Sequence, residues 1–148
     1  MTVAAALERE HRDIDGCVEA FLDDPAGAGD VLRIGLLALR RHIYLEEVFL
    51  FPPLRAAGLE MPVQVMLTEH GELWRLVDAA LAAVDRREPE EAAATSRQLL
   101  ELLDRHNSKE EPVIYPRAAQ LSAKQRHQGG LARARCAQQE ELHACNAR

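Results

Sequence analysis

With 148 residues, 47% apolar content and few aromatics against many Leu and Ala, the chain is long enough to bury one core and reads as helical rather than sheet-forming. Its formal net charge of −6 combines an acidic body, residues 1–116 with 22 acidic and 12 basic side chains, and a basic remainder with 2 and 6; phosphate-tracking surfaces need clustered Lys and Arg, so nucleic acid is not expected as a partner. No apolar run approaches the roughly 18 residues of a membrane span and the N-terminus lacks a leader pattern, so no membrane association and a cytoplasmic location are expected.

Residues 2–22 set Val3, Leu7, Ile14, Val18, Phe21 and Leu22 at helical spacing behind Thr2 as N-cap, and this first helix carries His11. Asp30 is placed to cap a second helix over 31–51 that holds His42 and Glu46 in its later half, with Pro52-Pro53 expected to break or kink it. A third helix starts with Pro62 in its first turn and runs to about Arg86, with Val63, Met66, Leu67, His70, Leu73, Trp74, Val77 and Leu81 in one stripe. The fourth runs from about Pro89 to Ile114 with Ala93, Leu99, Leu100, Leu103, His106 and Glu110 facing inward, and Pro112 should distort it. Short connections then predict an all-α, up-down-up-down antiparallel four-helix bundle over residues 1–117. Residues 118–148 read as a short basic C-terminal tail in which Gly129-Gly130 interrupts and 131–144 can form an extra helix. Cys17, Cys136 and Cys145 show no disulfide framework, and Cys136 and Cys145 with His143 match no zinc module.

The strongest signal is a repeat. His42-x3-Glu46-Glu47-x3-Phe51-Pro52 returns 64 residues later as His106-x3-Glu110-Glu111-x3-Tyr115-Pro116, and a Glu-His pair precedes each copy, Glu10-His11 and Glu69-His70. Residues i and i+4 share a helix face, so each His-x3-Glu forms a clip for one cation. A lone histidine on an apolar stripe is usually an ordinary core residue, but four histidines and two glutamates at equivalent places in two halves form a set. Two buried carboxylates are costly unless cations neutralise them. His11, His42, Glu46, His70, His106 and Glu110 therefore read as ligands of two metal ions, each ion taking two histidines and both sharing the carboxylates. With imidazole and carboxylate donors and no thiolate, the set fits iron, manganese or zinc, iron best. Glu47 and Glu111, about 100° from the ligand face, are expected in solvent, and Tyr44 and Tyr115 at the rim.

The two His-x3-Glu-Glu-x3-[Phe/Tyr]-Pro copies and their Glu-His partners resemble the hemerythrin-like family of HHE cation-binding domains, over residues from about 1 to 117. The resemblance implies a four-helix bundle around two non-heme iron ions bridged by the two carboxylates and an oxo or hydroxo group. Carried over by position, His11, His42 and Glu46 are the ligands of the first half and His70, His106 and Glu110 those of the second. Oxygen-carrying hemerythrins have a further histidine four residues after the third-helix ligand, where this chain has Trp74. That departure disfavours reversible oxygen carriage and leaves an open position on iron, with Glu72 and Asp15 as conceivable substitutes for the missing ligand.

Ile14, Leu45, Phe49, Leu50, Leu73, Trp74, Val113 and Ile114 lie close to ligands in sequence and are expected to wall a pocket for small uncharged molecules. The functional expectation is a di-iron protein that reacts with or binds H2O2, O2 or NO. The alternatives are an iron- or oxygen-sensing module without turnover, and a metal-free helical adaptor.

Overall fold

The computed structural model describes the backbone over residues 2–146 and the side chains over residues 2–125. Among the described residues there is no strand. The elements are α1 (Val3–Asp23), α2 (Gly29–Leu45), a π-helical turn (Glu46–Leu50), α3 (Phe51–Ala56), α4 (Glu60–Asp85) and α5 (Pro89–Asn146). No helix among the described residues is long and apolar enough to cross a membrane.

Thr2 caps α1 as the sequence indicates, its hydroxyl accepting from Ala5 N at 3.2 Å. Asp30 does not cap α2. That helix starts two residues earlier, with Ala28 in the N-cap position and Asp30 inside the first turn, where a carboxylate still favours the dipole. Between α1 and α2 the chain turns on Asp24, whose Oδ1 accepts from Gly27 N at 3.1 Å. Gly58 (φ 93°) and Arg87 (φ 59°) supply the left-handed residues after α3 and α4.

The prolines behave differently from expectation. Helical structure continues through Pro52 and Pro53 because the chain first widens into the π turn, with Phe51 N–H bonding to Glu46 O. The wider turn gives two successive pyrrolidine rings room that a regular turn denies. In the second copy Pro116 is followed by Arg117 rather than by another proline, and α5 passes both Pro112 and Pro116 without a break. Both lie on the exposed face, so the carbonyls they leave unbonded face water. The helix also runs on past Ile114 to Asn146, with no break at Gly129-Gly130; the side chains of Cys136, His143 and Cys145 lie outside those described.

α1 packs on α2 and α5, and α4 also packs on α2 and α5, so the four long helices enclose a common interior. Cys17 on α1 lies so close to Gly35 on α2 that a Cβ built at Gly35 would be 2.6 Å from that of Cys17. The buried apolar residues form two clusters. One holds Ile14, Leu39, Ile43, Leu73 and Leu103 with the rest of the larger core. The other holds Leu7, Phe51, Leu54, Met66, Ile114 and Tyr115. His11 lies between Leu7 and Ile14 in the chain, His70 between Met66 and Leu73, and His106 between Leu103 and Ile114. A layer of ionisable groups therefore separates the two hydrocarbon clusters.

Candidate metal centre

His11, His42, Glu46, His70, His106 and Glu110 are all buried, none more than 4% exposed, and they converge from α1, α2, the π turn, α4 and α5. They form two groups with shared members: His11, His42, Glu46 and Glu110, and Glu46, His70, His106 and Glu110. Within each group one donor atom per residue lies within 4.8 Å of every other. Both carboxylates belong to both groups, the pattern of two neighbouring ions sharing bridging ligands.

The polar atoms in this layer lack enough partners of their own. Glu46 Oε2, both carboxylate oxygens of Glu110 and His70 Nε2 are buried without a hydrogen bond. Such groups cost free energy unless something satisfies them. His11 Nε2 faces His42 Nε2 at 2.9 Å, and in both rings Nδ1 faces a carboxylate. A carboxylate only accepts, so each Nδ1 carries a proton, and the two Nε2 atoms are left to share a cation, either a proton or a metal ion. The residues thus fit a pair of metal ions.

In the protein alone, protons do part of that work. Burial disfavours a charged His42, but hydrogen bonds and charge from Glu46, with Glu10 adding to them, outweigh it and raise the imidazole to about 9. His106 is likewise raised, against its burial, by Glu110 and Glu69. Burial opposes ionisation of Glu46 and Glu110 as well, yet the facing imidazoles hold both below the usual carboxylate range, His42 and His70 for Glu46, and His106 and His11, 3.4 and 3.5 Å away, for Glu110.

Outside the six lies a ring of carboxylates. Glu10 Oε2 is 3.0 Å from His42 Nδ1, Glu47 Oε1 is 2.9 Å from His70 Nδ1, Glu69 Oε2 is 2.9 Å from His106 Nδ1, and Glu111 Oε1 is 2.9 Å from His11 Nδ1. Each contact crosses to another helix: α1 to α2, the π turn to α4, α4 to α5 and α5 to α1. Every imidazole is thereby held with Nε2 directed into the layer. Glu10 and Glu69 are in turn paired with Arg41 and Lys109, and both are held below the usual range despite the opposing effect of burial.

Several expectations need correction. Glu47 and Glu111 are not free in solvent; they are half-buried and bonded to imidazoles. Glu10 and Glu69 were visible only as partners in Glu-His pairs, with no role to assign. Tyr115 is not at a rim but fully buried, its hydroxyl 2.5 Å from Glu46 Oε1, 3.0 Å from His11 Nε2 and 3.4 Å from His42 Nε2. Burial, with the charges of Glu46 and Glu110, pushes that phenol well above its ordinary range. Tyr44 is exposed.

Of the expected wall, Ile14, Leu73 and Ile114 are buried, Leu45, Leu50 and Trp74 half-buried, and Phe49 and Val113 exposed. The π turn swings Phe49 outward, and Val113 follows the exposed Pro112 on the outer side of α5. Trp74 packs on the larger core with the Arg40 guanidinium 5.2 Å from its ring centroid. Neither Glu72, which is exposed, nor the half-buried Asp15 joins the ligand groups.

A groove of about 680 Å³ is lined by Leu7, Leu45, Phe49, Leu50, Ala118 and Ser122 among others, and by none of the six converging side chains. Leu7 is one turn before His11, and Ala118 nearly one turn after Tyr115.

No curated protein and no solved structure matches the chain. The family model of the hemerythrin HHE cation binding domain matches residues 2–118, which include all six converging side chains and their four carboxylate partners. The chain belongs to the hemerythrin HHE cation-binding domain family.

Proposed function

We propose that the buried layer holds two iron ions and that the protein reacts with or binds a small oxidant or diatomic gas. The observation that carries this reading is the pair of donor groups with Glu46 and Glu110 in common. His11 and His42 would hold one ion and His70 and His106 the other, with Glu46 and Glu110 available to both. Bound there, the irons, with an oxo or hydroxo bridge, supply redox chemistry toward H2O2, O2 or NO.

The chain's own contribution is to fix and to isolate. Four glutamates each hold one imidazole in a single tautomer, which directs all four Nε2 atoms inward before any ion arrives. The hydrocarbon clusters on either side exclude water from the layer, and the mostly apolar groove, whose Leu7 and Leu45 lie within about one turn of His11 and Glu46 in the chain, favours uncharged diatomics and peroxide over ions.

An up-down-up-down antiparallel course of the helices is part of this reading, and pairs of contacts between successive helices support it. Glu10 pairs with His42 while Cys17 meets Gly35; Arg33 pairs with Asp85 and Arg40 with Asp78; Glu69 pairs with His106 while Arg86 pairs with Glu91. In each case the number rises on one helix as it falls on the next.

A binding or sensing module is the second reading: the groove's polar lining is limited to Thr2 and Ser122, neither of which is an acid or base suited to proton transfer. Metal analysis of protein from iron-fed cells, a near-ultraviolet spectrum and a peroxide-consumption assay test both. Two irons per chain with a charge-transfer band and peroxide loss are expected. Two irons without turnover favour the sensing module, and protein without iron overturns both.

A further inference from the structure

The two halves of the motif differ by one oxygen atom where it matters. Phe51 and Tyr115 occupy the same place in the repeat and pack alike: the Phe51 ring stacks on His70 at 5.4 Å and 23°, the Tyr115 ring on His11 at 5.6 Å and 24°. Only Tyr115 brings a donor. Its oxygen lies 2.5 Å from Glu46 Oε1, 3.0 Å from His11 Nε2 and 3.4 Å from His42 Nε2. Around it, His11 Nε2 and His42 Nε2 are 2.9 Å apart, His42 Nε2 and Glu46 Oε1 3.1 Å, and His11 Nε2 and Glu110 Oε2 3.5 Å.

Metal bonds to nitrogen and oxygen of about 2.0–2.2 Å place neighbouring donors on one ion about 3 to 3.5 Å apart. Five of these six separations, 2.9–3.5 Å, match that spacing, and the sixth is the 2.5 Å hydrogen bond from the phenol to Glu46 Oε1, which a bond from the phenol oxygen to the ion would replace. Across the layer, His70 Nε2 is 3.4 Å from Glu46 Oε2 and His106 Nε2 is 3.4 Å from Glu110 Oε2, and the edge is closed by the hydrocarbon ring of Phe51.

We propose that Tyr115 is a seventh protein ligand, its phenol oxygen binding the iron held by His11 and His42, so that the two irons are unequal and an external small molecule binds the iron held by His70 and His106. This rests on the two-iron reading above. As the oxygen–iron bond forms, the O–H bond breaks heterolytically and its proton leaves to solvent; no electron is transferred. A phenolate is a hard anionic donor suited to ferric iron, and it fills one position on one iron only.

Resonance Raman spectroscopy of the iron-loaded full chain, excited in its visible absorption, tests the assignment. Ring modes that shift when the tyrosines are ring-deuterated are expected in the wild type and in Tyr44→Phe, and are expected to vanish in Tyr115→Phe. Nitric oxide added to the reduced protein is expected to bind one iron per chain in the wild type and both in Tyr115→Phe. Two bound irons without tyrosine modes, or modes that survive Tyr115→Phe, would overturn the proposal while leaving the two-iron reading intact. Absence of iron would instead remove that reading. Where Tyr115→Phe fails to load iron, the labelled wild type compared with Tyr44→Phe decides.

Discussion

Glu47 Oε1 accepts a 2.9 Å hydrogen bond from Nδ1 of His70, although Glu47 follows directly on Glu46, a carboxylate of the layer itself. One dipeptide thus serves two shells: Glu46 faces the interior, and Glu47 fixes the imidazole of the next helix. The same division of labour holds for Glu110-Glu111 and, with the order reversed, for Glu10-His11 and Glu69-His70.

Replacing any carboxylate of this ring should loosen metal binding without unfolding the chain. Glu47→Gln and Glu111→Gln are each expected to weaken affinity by about 10- to 100-fold, since the lost partner fixed the ring and its tautomer. Chelator competition measures this. Unchanged affinity in both variants would show that the ring is incidental.

Metal-free protein should lose stability as the solution turns alkaline. His42 is raised to about 9 from an ordinary 6.5, so its imidazolium stabilises the fold fully below pH 6.5 and that contribution fades as pH rises through about 9. The amount at stake is on the order of 3 kcal/mol. Glu10, Glu69 and Glu110 are held below their ordinary 4.5, so they stabilise above that value and the contribution is lost as pH falls through their folded values. The melting temperature without metal is expected to peak at about pH 5 to 6.5 and to decline toward pH 9. With metal bound, the alkaline decline should flatten, because the ion replaces the proton at Nε2. Thermal melts across this range, with and without chelator, provide the check.

Chelation itself should lower stability at constant pH. Glu46 Oε2 and both oxygens of Glu110 make no hydrogen bond in the buried layer, and the imidazoles compensate their charge only in part. A ligand present at 100 times its dissociation constant stabilises by about 2.7 kcal/mol, and removal forfeits that amount. His42→Ala and His106→Ala are expected to bind fewer than two ions and to show a smaller chelator effect. Equal melting curves before and after chelation would favour a metal-free adaptor.

The crossing of α1 and α2 depends on a missing side chain. Gly35→Ala places a Cβ 2.6 Å from that of Cys17 and should destabilise the fold by about 1–3 kcal/mol. Adding Cys17→Gly removes the opposing atom and should recover part of the loss. A denaturant double-mutant cycle with zero coupling would show that the helices shift freely.

The sequence alone determined which residues belong together. The 64-residue repeat and the i, i+4 spacing identified six side chains that the structure brings into one layer, because the period of a helix is a local property. It could not show where a residue 100° off that face ends up. That angle directs Glu47 and Glu111 to a neighbouring helix in a closed ring of four, where sequence reasoning placed them in water. Nor could it distinguish Tyr115 from a rim residue, or foresee that Pro52-Pro53 would be accommodated by a π turn while Pro112 and Pro116 pass through a regular helix. Those outcomes depend on what the neighbouring helices place opposite each side chain, and only tertiary packing decides that.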